Sequence, residues 1–172
     1  MTTPESSATP AATGTVTLRD LDESDMDWVA AQEQEIFGAG AWSPELIRED
    51  FAYGSKRYRG AELDGELVGW AIYGYDGDAF HLMNVAVVSG HRRAGIGRLL
   101  MDDFLFDARA LDAHAAWLEV AVTNEAAIAM YRDYGFHDVR IRRRYYQPGD
   151  VDAVVMRLSL ADRTGSSQEF RS

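Results

Sequence analysis

The residues best placed to do chemistry are Arg92-Arg93-Ala94-Gly95-Ile96-Gly97-Arg98, which follow the apolar run Val85-Ala86-Val87 and lead into Leu99-Leu100. The order reads as a buried strand, a glycine-bearing turn and an amphipathic helix. Two glycines let the backbone approach an anion closely, successive N–H groups can face it, and a helix opening at Ile96 adds the positive end of its dipole. The pattern predicts a cradle for a phosphorylated ligand. Two commoner cradles are excluded by spacing: the P-loop requires Lys where Ile96 stands, and the dinucleotide fingerprint requires Gly or Ala where Leu100 stands. Arg92, Arg93 and Arg98 add positive charge, and at most two are expected to touch the ligand, since surface arginines are common.

Three further side chains could move protons: Glu119 between Leu118 and Val120, Tyr131, and His81. Each also has a structural reading. Glu119 fits a solvated strand acid, Tyr131 shares helical spacing with Ile128 and Tyr134 as a core aromatic would, and a lone strand histidine is often structural. The chain has no cysteine, which excludes disulfides, thiolate nucleophiles and cysteine-based zinc sites. His91, His114 and His137 lack metal-ligand spacing, so no metal is expected, and no Ser/His/Asp pattern stands out. A net charge of −11 argues against direct nucleic-acid binding and favours a cationic acceptor. No apolar run approaches a membrane span and no signal peptide is evident, so a cytoplasmic location without membrane contact is expected.

These groups need a scaffold, and 172 residues suffice for one core. A disordered leader is expected over 1–14, one domain over 15–161 and a polar tail over 162–172, from the Thr, Ser, Ala and Pro content of the first segment and the polarity of the last. Alternation predicts strands over 15–21, 57–63, 66–75 and 79–88, the last three joined by turns at Asp64-Gly65 and Asp76-Gly77. Helical spacing predicts helices over 25–37, where Met26, Val29, Ala30 and Glu33 share a face, and over 44–53, opened by Ser43-Pro44-Glu45. After the cradle, Ile96, Leu99, Leu100, Phe104 and Leu111 form the expected stripe of a helix. A strand over 116–122, a helix over 124–134 ended by Gly135, and strands over 136–146 and 153–160 around Pro148-Gly149 complete the order. The strand–helix–strand crossover makes one pair parallel. The expected fold is α/β in the α+β sense: a mixed, mostly antiparallel sheet with one central parallel pair and helices on both faces.

Arg-x-x-Gly-x-Gly after an apolar strand resembles the acetyl-CoA motif of the GCN5-related N-acetyltransferases (GNAT), whose backbone amides hold the CoA pyrophosphate. The likeness continues through Trp117-Leu118-Glu119-Val120, Asn124-Glu125-Ala126-Ala127-Ile128, Tyr131 and Gly135-Phe136. Arg142-Arg143-Arg144-Tyr145-Tyr146, Asp152-Ala153 and Trp42-Ser43 narrow it to RimI-type enzymes, which acetylate the N-terminal amine of a ribosomal protein. It spans Val16 to Leu160. The chain departs from the family at Val88-Ser89-Gly90, where many relatives carry Asp-Pro, and at Arg144, where Asn is commoner.

What the resemblance implies is specific. Glu119 would be the general base, directly or through water, and Tyr131 the general acid, expected to pass its proton to the leaving thiolate. His81 is the alternative base. Backbone amides from Arg93 through Ala94, Gly95, Ile96 and Gly97 to Arg98, with Arg92 beside them, would hold the pyrophosphate of acetyl-CoA. The backbone of Val85, Ala86 and Val87 would pair with the pantetheine arm, and Asn124 would contact it, cap its own helix, or do both. Trp42, Tyr145 and Tyr146 would hold the acceptor peptide. An N-terminal amine has a reference pKa near 8 against ~10.4 for lysine, so a lysine costs about 3 kcal/mol more to deprotonate and a modest carboxylate base suits an N-terminus. Two alternatives stay open: the same chemistry on lysines or small amines, and a catalytically silent acyl-CoA-binding module.

Overall fold

The computed structural model describes residues 14–160; the expected leader and tail lie largely or wholly outside them. The chain runs through β1 (Val16–Asp20), α1 (Met26–Phe37), α2 (Pro44–Tyr53), β2 (Lys56–Leu63), β3 (Glu66–Asp76), β4 (Ala79–Val87), α3 (Ile96–Ala110), β5 (Ala115–Ala121), α4 (Glu125–Asp133), β6 (His137–Tyr146) and β7 (Val151–Ser159). Short 3₁₀ turns at Glu23–Asp25, Gly38–Gly40 and Ser89–His91 join them. Local chemistry sets the helix ends. Ser43 accepts a hydrogen bond from the Leu46 amide at 3.1 Å with Pro44 beside it, and Gly54 ends α2 at φ 73°, the left-handed conformation that glycine adopts without a Cβ clash.

All the strands form one sheet of order β1-β2-β3-β4-β5-β7-β6. Every neighbouring pair is antiparallel except β4–β5, as a helical crossover requires. The helices cover both faces. α1 and α2 pack over Tyr58, Trp70, Ile72 and Ala86, while α3 and α4 enclose the larger core around Tyr73, Phe80, Leu118 and Met156.

The stripe of α3 differs from its expected pattern. Ile96, Leu100, Met101, Phe104, Leu105 and Ala108 are buried, whereas Leu99 is 39% and Leu111 58% exposed. Leu99 falls outside the arc that meets the sheet, and Leu111 stands at the helix's C-cap. Removing the Phe104 ring would cost about 3–5 kcal/mol, the range for a fully buried aromatic. At the rim Arg59 grips Asp103 through two bonds of 2.7 and 3.0 Å, and Tyr73 donates to the same carboxylate at 2.6 Å. These contacts fix α3, and hence its N-terminus, against β2 and β3.

Two departures from regular pairing shape the site. A bulge on β4 leaves Met83 without a β3 partner between Leu82 and Asn84. An extra residue reverses side-chain alternation, so Phe80 and Leu82 face the α3 core, whereas beyond the bulge Val85 and Val87 take that side and Ala86 faces α1. The second departure is the parallel ladder. It pairs Phe80, His81 and Leu82 with Ala116, Trp117 and Leu118 and then stops, although β4 continues to Val87 and β5 to Ala121.

Candidate active site

Where β4 and β5 part, they open a groove of about 1060 Å³. Along one side run Val85, Ala86 and Val87. Their outer backbone edge pairs with β3 through Val87, so the edge facing β5 past Leu82 is left for a ligand. Opposite lie Val120, Ala121, Asn124 and Tyr131.

One end of the groove is the turn into α3. Gly95 precedes the helix at φ 81° and offers no capping side chain, whereas Ser43 caps α2 and Asn124 caps α4 by accepting from the Ala127 amide at 3.2 Å. The first amides of α3 therefore have no side chain competing for them. A Cβ on Gly97 would meet only Met130 Sδ at 3.8 Å and Val87 Cγ2 at 4.0 Å, ordinary contacts. The fold alone does not demand glycine there, and an open backbone lining the groove suits an anion held by N–H groups. Arg92, Arg93, Ile96 and Arg98 line the same end. Ala94 lies in the turn but not on the groove wall. Arg92 donates to the Val87 carbonyl at 3.2 Å, and Arg98 is drawn aside by Asp133 at 2.7 Å.

At the other end Glu119 projects from the face of β5 opposite the α3 core, and its neighbours Leu118 and Val120 point into that core. Its Oε2 meets His81 Nε2 at 2.5 Å, and its Oε1 accepts from Arg142 Nη1 at 3.2 Å. The two expected base candidates are thus hydrogen-bonded to each other. Burial opposes ionisation of Glu119, but His81 and then Arg142 outweigh it and hold the carboxyl below its ordinary range.

A second carboxyl shares the groove. Glu33 of α1 is 2% exposed and accepts from the Trp42 amide at 3.2 Å and the Asn84 side chain at 2.7 Å. Burial raises its pKa, and those two bonds only partly offset the shift. Sequence reasoning placed Glu33 on the packed face of α1 without giving it a role. An acid at a core position of an amphipathic helix was the available signal. Trp42 lines this end with Ile36 and Phe37, forming an apolar wall.

Of the two tyrosines expected to hold the acceptor, the structure brings only Tyr146 to the groove. Tyr145 is 40% exposed and lies against the Arg142 guanidinium, 4.1 Å from the ring centroid. Adjacent strand residues point to opposite faces, and the register shift between Arg142 and Tyr146, with Arg144 at φ 52°, sets which of the two meets the groove. The same bulge separates Arg144 from the face expected for Arg140, Arg142 and Arg144. Arg140 and Arg142 stand opposite Val155 and Ala153, while Arg144 donates its amide to Asp152 at 2.9 Å.

Tyr131 is buried and reaches the groove wall, and burial pushes its phenol up to about 12. Full proton transfer from a phenol to a free thiolate is uphill already at the reference values of about 10 and 8.5, and burial of Tyr131 makes it more so. Protons pass spontaneously to the group of higher pKa, and a free thiol sits near 8.5, so full transfer from this phenol to a free thiolate would be uphill by about 5 kcal/mol. The same shift keeps Tyr131 protonated at neutral pH, a donor toward negative charge growing on sulfur.

A groove between splayed parallel strands, with an uncapped glycine turn at one end and a carboxylate at the other, agrees with the matching family: the acetyltransferase (GNAT) family model fits residues 15–136. The chain belongs to this family. It is an acetyl-CoA-dependent N-acetyltransferase. It is 34% identical over 157 residues to the N-alpha-acetyltransferase RimI of Mycobacterium tuberculosis, covering 88% of this chain and 98% of that protein. It is 31% identical to the [Ribosomal protein bS18]-alanine N-acetyltransferase of Escherichia coli, covering 84% of this chain and 98% of that one. The crystal structure of the ribosomal-protein-S18-alanine N-acetyltransferase from Escherichia coli superposes with a TM-score of 0.74 at 30% identity, covering 87% and 98% of the two chains. Among the described residues no helix is long and apolar enough to cross a membrane.

Proposed function

We propose that this acetyltransferase moves the acetyl group of acetyl-CoA directly to the N-terminal amine of a protein, and that its acceptor is a ribosomal protein beginning with Ala. The observation that carries this reading is the placement of Glu119 at the fork of β4 and β5, in one groove with the uncapped start of α3. The names of the relatives support the N-terminal amine and the ribosomal acceptor.

Bound in the groove, acetyl-CoA supplies a thioester acetyl group. The amides from Arg93 to Arg98 and the Arg92 side chain would hold its pyrophosphate, and the free edge of Val85, Ala86 and Val87 would align the arm. Asn124 both caps α4 and lines this path. Glu119 would take a proton from the acceptor ammonium, directly or through one water, and Glu33 would add negative potential favouring a cationic amine. Tyr131 would hydrogen-bond to sulfur as the C–S bond breaks, and the second amine proton would leave through Glu119 once its first has passed to solvent. Trp42 and Tyr146 would flank the first residues of the peptide. Attack without a covalent enzyme intermediate fits a chain with no cysteine. A cytoplasmic site of action follows from this acceptor.

The test is a mass-resolved acetylation assay comparing a peptide with a free N-terminal Ala, the same peptide blocked but carrying lysine, and a polyamine. Modification confined to the free N-terminus is expected. Modification of lysine or polyamine instead would overturn the acceptor assignment.

A further inference from the structure

Glu119 lies just past the end of the β4–β5 ladder, where backbone pairing ties it to Val155 of β7 but no longer to β4. The last ladder pair between β4 and β5 is Leu82 with Leu118; His81 stands one residue before that pair and Glu119 one residue after, so their side-chain bond spans the fork. His81 does not line the groove, whereas Glu119 does. The imidazole reaches the carboxylate from β4, on the paired side of the fork. An ionised carboxylate only accepts hydrogen bonds, so the 2.5 Å contact places a proton on Nε2 of the neutral ring and leaves Nδ1 to gain or lose the second one.

We propose that His81 is a positioning residue for Glu119, and that its protonation state decides whether Glu119 can take the acceptor's proton. With His81 neutral, the cluster of Arg142, His81 and Glu119 carries no net charge, and the carboxylate faces one cation. With His81 as imidazolium, two cations grip the same carboxylate. Its basicity falls, and the cluster turns positive where an ammonium must enter. The other groups around it are Tyr145 and Tyr146 from β6, which feel the Glu119 charge, Trp117 opposite His81 on β5, and Glu33 from α1 on the groove wall. In the step itself the ammonium N–H bond breaks and an O–H bond forms on Glu119. That proton then passes to solvent, and His81 keeps its Nε2 proton throughout. This inference rests on the proposed role of Glu119 as base.

The experiment compares kcat/KM between pH 5.5 and 8 for the wild type, His81→Gln and Glu119→Gln with one Ala peptide. Gln retains an N–H donor near the Nε2 position but cannot become a cation. The acceptor's own titration is common to all three proteins and cancels in their ratios. The rate of His81→Gln relative to wild type is expected to climb roughly tenfold toward pH 5.5, because only the histidine can place a second cation on the carboxylate, through kcat more than KM. A constant ratio, with Glu119→Gln slow, overturns the role of His81 and leaves Glu119 as base. Glu119→Gln as fast as wild type removes the base assignment itself.

Discussion

The two ends of the groove are built by opposite strategies. The cradle end comes from one contiguous stretch, in which missing side chains at Gly95 and Gly97 expose backbone donors, and the dipole of α3 supplies the field. The end that holds Glu119 draws on α1, β4, β5 and β6, and its chemistry resides in side chains that constrain one another. Contiguous backbone gives a site robust to changes around it. Convergent side chains give one that can be tuned, as the two carboxyls there demonstrate: Glu119 is held ionised by His81 and Arg142, while burial pushes Glu33 the other way.

Substitutions can separate the ends, beginning with the largest effect. Glu119→Gln is expected to lower kcat by roughly 10²–10⁴, the usual worth of a positioned general base, with acetyl-CoA affinity unchanged by calorimetry. At the other end Gly97→Val should do the reverse. The fold meets its Cβ at ordinary distances, so the melting temperature should hold, while acetyl-CoA binding weakens roughly ten- to a hundredfold as the side chain fills the approach. A melting temperature that fell with the affinity would make Gly97 a packing residue. Tyr131→Phe is expected to cost about tenfold in kcat and nothing in acetyl-CoA affinity, because a hydrogen bond to developing charge is lost rather than a full proton transfer. Equal turnover would remove its role.

The carboxyl pair yields opposite pH signatures, readable by chemical denaturation. The depressed Glu119 carboxyl stabilises the fold above its unfolded pKa of about 4.3, and that contribution is lost as pH falls through the folded value. Glu33 is raised, so its favourable contribution is present below the unfolded pKa and is lost as pH rises through the folded one. Glu33→Gln, with Asn84 turning its amide to accept, should therefore gain stability at pH 7, and the gain should vanish toward pH 4. A loss at pH 7 would mean that burial is not the dominant influence on Glu33. The smallest effect belongs to α2, the helix that follows Trp42: Ser43→Ala should cost about 1 kcal/mol through its lost cap.

The difference between the ends also decides what was legible in the sequence. The strand, glycine turn and helix of the cradle lie within one short span, and α2 declares its start through Ser43 and Pro44. The fork of β4 and β5 is a relation between strands more than thirty residues apart, which no local pattern encodes. The Met83 bulge depends on register with β3, and the bulge before Tyr146, which decides which of two adjacent tyrosines turns to the groove, depends on register with β7. His81, Glu119 and Arg142 were each visible as ionisable residues, but their convergence was not. The resemblance to GNAT enzymes supplied the role of Glu119 before any geometry did.

The most direct test of a single groove joining the two ends is calorimetric titration with a conjugate in which CoA is linked through an acetyl bridge to the N-terminal amine of an Ala peptide. The conjugate should bind at least a hundredfold more tightly than CoA alone, since the second half then binds intramolecularly, and Gly97→Val should weaken it. A conjugate that binds no better than CoA would contradict the placement of the acceptor amine between β4 and β5.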